Sequence, residues 1–279
     1  MPAPDEYVPG RPHPALAGLV TRYAGYREHS TTPVRRRQAP TDTCTLILGL
    51  DPPLRLHGPA GPVVRRSFLA GMHDAAVLTE FTGDQAGVQV DLTPLGAHVL
   101  LGRPLDALTN LTPDLVELGV EPLRRLPDRL AAAGDWPARF ARVDDVLLGL
   151  AAASRTRPDP EVAWVWRELR RTRGRAAVGT LADEVGWSRR RLLRRFTGQI
   201  GLRPKTAARV LRFRHAVDLL AAGGHSVADV AALTGHADHS HMVREFRALA
   251  GCPPTGFVPD RVDPFVQDGP GQPGLRSRS

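Results

Sequence analysis

"RRFTGQIGLRP" runs from Arg194 to Pro204, and "REFRALAGCPP" runs from Arg244 to Pro254. Both fit the frame R-x-F-x-x-x-x-G-x-x-P, set twice into one chain fifty residues apart. In each copy the Phe suits a buried anchor, the Gly a helix stop and the Pro the start of the next segment. Read backwards from the frame, each copy completes a pair of helices: "TLADEVGWSRRRLLRRF" (180–196) and "SVADVAALTGHADHSHMVREF" (226–246). Each pair opens on a hydroxyl residue with Asp three positions later, Thr180 with Asp183 and Ser226 with Asp229, the spacing of a capping box. Within each, a small Ala precedes a Gly by four positions, Ala182 to Gly186 and Ala231 to Gly235. A small side chain lets the second helix cross closely, and Gly accepts a left-handed turn, so each pair is predicted to be a helix-turn-helix unit.

Helical geometry sorts the side chains of the second helix of each pair. At about 100° per residue, Leu192 and Phe196 share one face, and Arg190, Leu193, Arg194 and Thr197 share the other. In the second unit Met242 and Phe246 point inward, with Ser240, Val243, Arg244 and Arg247 outward. Neither outward face carries a carboxylate. Arg can form bidentate bonds to guanine in the major groove and Ser can bond to several bases. Arg189, Arg191 and Arg195 flank the first face and suit phosphates, which position without specifying. Arg247 is expected to do the same in the second unit.

The charge agrees with this reading. The 279 residues carry a net charge of +8, yet positions 155–258 hold nineteen Arg and Lys against nine Asp and Glu, and the remainder is slightly acidic. Lys205 is the one lysine in the chain. Such segregation indicates a polyanion-binding half and a near-neutral half.

Residues from about Glu161 to Phe257 resemble the DNA-binding domain of the AraC/XylS family of bacterial transcription regulators, which joins two helix-turn-helix units by a long helix. Here "KTAARVLRFRHAVDLLAAG" (205–223) would be that helix. The resemblance implies base contacts from Arg190, Leu193 and Arg194 in the first unit, and from His239, Ser240, Val243 and Arg244 in the second. The chain departs from the family pattern at His236, usually aromatic, and at Leu193, usually polar. Double-stranded DNA at an operator is the implied partner. RNA polymerase, a small-molecule effector and a second copy of the chain are further partners the resemblance admits.

The first half reads differently. "TCTLILGL" (43–50), "LRLHG" (54–58), "VVRRSFLAG" (63–71), "AAVLTEFTG" (75–83) and "GVQVDL" (87–92) are short apolar or alternating runs punctuated by Gly, Pro and Asp, the pattern of a small barrel or sandwich. "TPLGAHVLLG" then predicts a helix from Thr93 to Gly102, and 126–154 two amphipathic helices broken at Gly134 and Pro137. These strands and helices resemble the cupin-like barrel sensor domains that precede this DNA-binding domain in many family members. The expected fold is therefore α+β: a regulatory domain over 1–154 (strands 14–92, helices 93–154), a linker over 155–160, an all-α DNA-binding domain over 161–258 and a disordered tail over 259–279.

No enzyme is expected. Asp144 and Asp145 are adjacent on a helix and diverge, so they cannot act as an acid/base pair. Cys44 and Cys252 are too few and too far apart for a disulfide frame, a zinc site or the zinc-held reactive Cys of a DNA-repair alkyltransferase, the enzyme that some relatives fuse to this domain. His57, His73 and His98 lack the H-x-H spacing and carboxylate of a cupin-type metal enzyme, so neither metal nor cofactor is expected. A protein-interaction module that binds no DNA is the third alternative. No apolar run is long enough to span a membrane, and the start "MPAPDEYVPG" lacks the basic and apolar regions of a signal peptide, so a cytoplasmic location is expected.

Overall fold

The computed structural model describes residues 5–58, 61–236 and 238–257. The proposed tail over 259–279 lies outside them. Among the described residues seven strands form one antiparallel sheet: β1 (Glu6–Gly10), β2 (Val20–Gln38), β3 (Cys44–Gly49), β4 (Leu54–Gly58), β5 (Gly61–Arg65), β6 (Ser67–Ala70) and β7 (Val77–Leu92). The main order is β1-β2-β7-β3-β6, with β4 pairing both β5 and β7. The long strand β7 is the spine of this half. It pairs with β2 along most of its length, with β3 at its C-terminal end and with β4 nearer its start.

Three strand expectations change. Residues 75–83 and 87–92 are not two strands but one, because the Gly and Asp residues between them stay in register with β2, Gly83 opposite Ser30 and Gly87 opposite Tyr26. The run 63–71 is divided into β5 and β6. The 19-residue β2 had no counterpart in the sequence reading. Its second half is polar and holds Pro33, and it pairs with β7 across an irregularity between Ser30 and Val34.

Helices follow on the sheet: α1 (Pro94–Leu101), α2 (Leu115–Leu118), α3 (Glu121–Arg124), α4 (Leu126–Ala131) and α5 (Trp136–Ala153). Helix α1 begins as expected, with the Thr93 side chain accepting from the Gly96 amide, and ends at Gly102. Pro137 does not break a helix. It sits in the first turn of α5, where its missing N–H costs nothing. Asp144 on α5 accepts from the Tyr23 hydroxyl at 2.9 Å and the His13 amide at 2.8 Å, tying the helix to the sheet.

The C-terminal half is helical: α6 (Pro160–Arg171), α7 (Val178–Glu184), α8 (Arg189–Ile200), α9 (Pro204–Ala222), α10 (Val227–Leu233) and α11 (His239–Ala250). The connection over 154–159 is held in place. Ser154 Oγ donates to the Val99 carbonyl at 2.7 Å, and the Asp159 amide donates to Gln199 Oε1 at 2.9 Å. One apolar core runs from the sheet (Leu46, Val88, Val90) through α1 and α5 into the helical half (Leu192, Phe196, Phe246). Among the described residues, no helix is long and apolar enough to cross a membrane.

Candidate nucleic-acid interface

Helices α7 and α8 form one pair and α10 and α11 a second, with α9 running between them. Gly186 and Gly235 take φ of 65° and 74°, the left-handed turns a side chain would strain. Ala182 and Ala231 are buried at the crossings. Phe196 and Phe246 are fully buried, Phe246 with its ring edge-on to Phe213 of α9 at 4.8 Å. Both helix-turn-helix units and the frame that announced them are therefore present.

Their caps differ. Ser226 and Asp229 make the expected capping box, the Asp229 amide donating to Ser226 Oγ at 3.1 Å and the Ser226 amide to Asp229 Oδ2 at 3.0 Å. The Thr180–Asp183 box does not form. Helix α7 starts three residues earlier, with Ala177 at its cap in place of Thr180, because half-buried Val178 packs on the core and draws the first turn back. Thr180 then falls inside the helix and is exposed.

Helix α8 is capped by Ser188, whose Oγ accepts from the Arg191 amide, and α11 by Asp238, whose carboxylate accepts from the His241 amide at 2.7 Å. On α8, Leu192, Phe196 and Ile200 are buried, and Arg189, Arg190, Arg191, Leu193, Arg194 and Arg195 are exposed. On α11, Met242, Phe246 and Leu249 are buried; His239, Ser240, Arg244 and Arg247 are exposed and Val243 is half-buried. Leu193 is 43% exposed, a single apolar side chain in the outward row.

The outward rows are basic and free of acid. Helix α8 has no carboxylate, and the one on α11, Glu245, is turned inward. Three of the expected phosphate ligands have neighbours of their own. Arg195 makes a two-armed pair with Asp159 at 2.5 Å for each contact, so part of its charge is already spent. Arg191 stacks over the Trp187 ring at 4.4 Å, and Arg189 lies beside Gly179.

Sequence reasoning missed the group behind α11. His236 Nε2 contacts Glu245 Oε2 at 2.8 Å, and His236 Nδ1 lies 2.7 Å from Thr234 Oγ1. Arg209 and Arg212 of α9 reach Glu245 Oε1 at 3.2 and 3.3 Å. Burial pushes the Glu245 carboxyl up, but the His236 hydrogen bond and the Arg212 and Arg209 charges outweigh it and hold it at about 2. The departure from an aromatic residue at His236 is thus matched by a buried carboxylate that an aromatic ring could not serve.

Residues 181–258 match the family model described as a helix-turn-helix domain, of the AraC type. Over these residues the chain carries a helix-turn-helix domain of the AraC type, the DNA-binding domain of a transcription regulator. No curated protein matches its sequence. Among solved structures it is similar to ToxT from Vibrio cholerae O395 at 11% identity, over 84% of this chain and 95% of that one, with a TM-score of 0.46. It is also similar to the C-terminal domain of AraT, a response regulator from Geobacillus stearothermophilus, at 16% identity over 40% and 95%, TM-score 0.35. A cupin domain from Bordetella pertussis Tohama I matches at 12% identity over 33% and 96%, TM-score 0.23.

The sheet encloses a cavity of about 130 Å³ bounded by β2, β3, β4, β6 and β7. Ile47, Leu56, Phe68, Val77 and Phe81 give it apolar walls. Arg36 and Glu28 meet on its lining in a two-armed ion pair at 2.5 and 2.6 Å. His73 is buried there, neither ring nitrogen makes a hydrogen bond of good geometry, and burial lowers its pKa. Among the described residues, no group of three His, Cys, Asp or Glu is placed to hold a metal ion.

Proposed function

We propose that this regulator reads its operator with α8 and α11 in successive major-groove segments, roughly 34 Å apart on one face of the duplex. Two exposed, carboxylate-free Arg rows on helices braced by one core support this reading. Arg190 and Arg194 reach guanine edges, Leu193 takes an apolar contact such as a thymine methyl, and Ser240 and Arg244 are their counterparts on α11, flanked by His239 and Val243. Arg189, Arg191 and Arg247 meet phosphates, and Arg195 contributes less because Asp159 already holds it. The domains are those of the sequence reading: regulatory over 1–154, connection over 155–160, DNA-binding over 161–258. The cavity takes the effector, a small, mostly apolar molecule with one hydrogen-bonding group for the neutral His73 ring. Neither cysteine favours an alkyltransferase: Cys44 is buried in the sheet core, where burial pushes its thiol up to about 12, and Cys252 follows α11.

Binding-site selection on the full chain tests the interface and should return two preferred segments about one helical turn apart. Arg194→Ala should cost about 1–3 kcal/mol on that site and relax preference at one base position. Arg189→Ala should weaken all sequences alike and reduce the salt slope by about one. Identical motifs from both variants, differing only in overall affinity, would refute the assigned reading face.

A further inference from the structure

Both recognition helices end against the regulatory half, α11 on strand β2 and α8 on the loops around Met72 and Leu105–Thr109. At the end of α11 the Arg37 side chain of β2 donates from Nη1 to the Ala250 carbonyl at 2.5 Å. A Cβ on Gly251 would lie 2.6 Å from that same nitrogen, so the glycine leaves room for the guanidinium. At the end of α8 the Leu105 amide donates to the Gly198 carbonyl at 2.8 Å, and Thr109 Oγ1 donates to the Gly201 carbonyl. Gly201 also lies on Met72. The last carbonyls of a helix have no partner within it, and a cation there is favoured by the helix dipole. Here the regulatory half supplies the partners, at the two glycines of the repeated frame.

Successive residues of an extended strand face opposite ways. Arg36 and Gln38 line the cavity while Arg37, between them, points out to α11. In the loop that follows β6, Gly71 and His73 also line it while Met72, between them, is buried against Gly201 at the end of α8. The outer side of the cavity wall thus touches both helix ends, through Arg37 at α11 and Met72 at α8.

We propose that Arg37 and Thr109 are spacing-determining residues for DNA recognition. They lie outside the DNA-binding domain, and by fixing the ends of α11 and α8 they set the separation at which the two helices meet the duplex. An occupant of the cavity acts on that separation through the residues either side of Arg37 and Met72. The proposal rests on the two-helix reading above.

The test uses the full chain and duplexes carrying the selected site with one base pair added or removed between its segments. An added pair moves the second segment by about 3.4 Å. The parent should lose about tenfold in affinity or more, the scale of a lost base contact. Arg37→Ala should bind the correct site nearly as well, yet lose only about threefold or less on the altered ones, with Arg37→Lys restoring the parent's discrimination. Thr109→Val, which leaves the Gly201 carbonyl without its donor, should relax spacing in the same way. A parent that discriminates alongside an Arg37→Ala variant that discriminates equally would overturn the proposal and leave the two-helix reading standing. A parent that selects a single segment would overturn both.

Discussion

At position 245 a carboxylate with 5% of its side chain exposed faces two guanidiniums and two imidazoles, His236 at 2.8 Å and His241 at 3.9 Å. Its pKa of about 2 lies below the ordinary 4.5, so between those values the unfolded chain binds the proton and the folded chain does not. Stability from this group is therefore complete above pH about 4.5 and is lost as pH falls toward about 2. Glu245→Gln should cost about 3 kcal/mol at pH 7 by leaving Arg209 and Arg212 uncompensated. The gap between parent and variant should narrow from pH 4.5 downward in urea melts, and a gap independent of pH would refute the assignment. Of this group, the sequence revealed only an oddity at His236. His236 lies nine positions back in the turn before α11 and the two guanidiniums come from α9, so helical spacing joins none of these three to Glu245. The reading faces were legible for the opposite reason: Arg190, Arg194, Ser240 and Arg244 are sorted by one helix's own geometry.

The elements give a similar contrast between their two caps. Ser226→Ala should destabilise by about 1 kcal/mol, since its Oγ holds the Asp229 amide. Thr180→Ala, at the position with the same sequence signature, should change stability by less than about 0.5 kcal/mol, because Thr180 is an exposed position inside α7. Equal losses for the two in thermal melts would mean that α7 begins at Thr180 after all. A capping signature states which residues could cap; the packing of Val178 decided where the helix began. Helices with a hydroxyl start and a glycine end, such as α1, were legible to the residue. Strand β2 was not, since its Arg-rich second half reads as a solvated loop until β7 is laid beside it. The same pairing hid the unity of β7, whose glycines look like turns when β2 is out of view.

For the whole molecule, the apolar core passes without a break from the sheet to α11. A continuous core predicts one cooperative unfolding event rather than two. Tryptophan emission of a Trp136→Phe variant reports the helical half alone, through Trp164, Trp166 and Trp187. Its urea midpoint should coincide with that of the dichroism of the whole chain, and separated midpoints would show that the halves unfold independently. Two units of distinct charge and pattern were legible from the sequence. Their union was not, because the contact between Arg37 and Ala250 spans 213 positions, and "VRRRQ" resembles any basic surface run. The basic character of that surface has its own consequence. It is almost wholly guanidinium, with Lys205 at the start of α9 the one side-chain amine in the chain. Acetylation, which silences lysine charge, has no purchase on arginine. Acylating enzymes that retune lysine-rich DNA binders would find one side chain here, and the grip of both recognition helices would pass through such metabolic states unaltered.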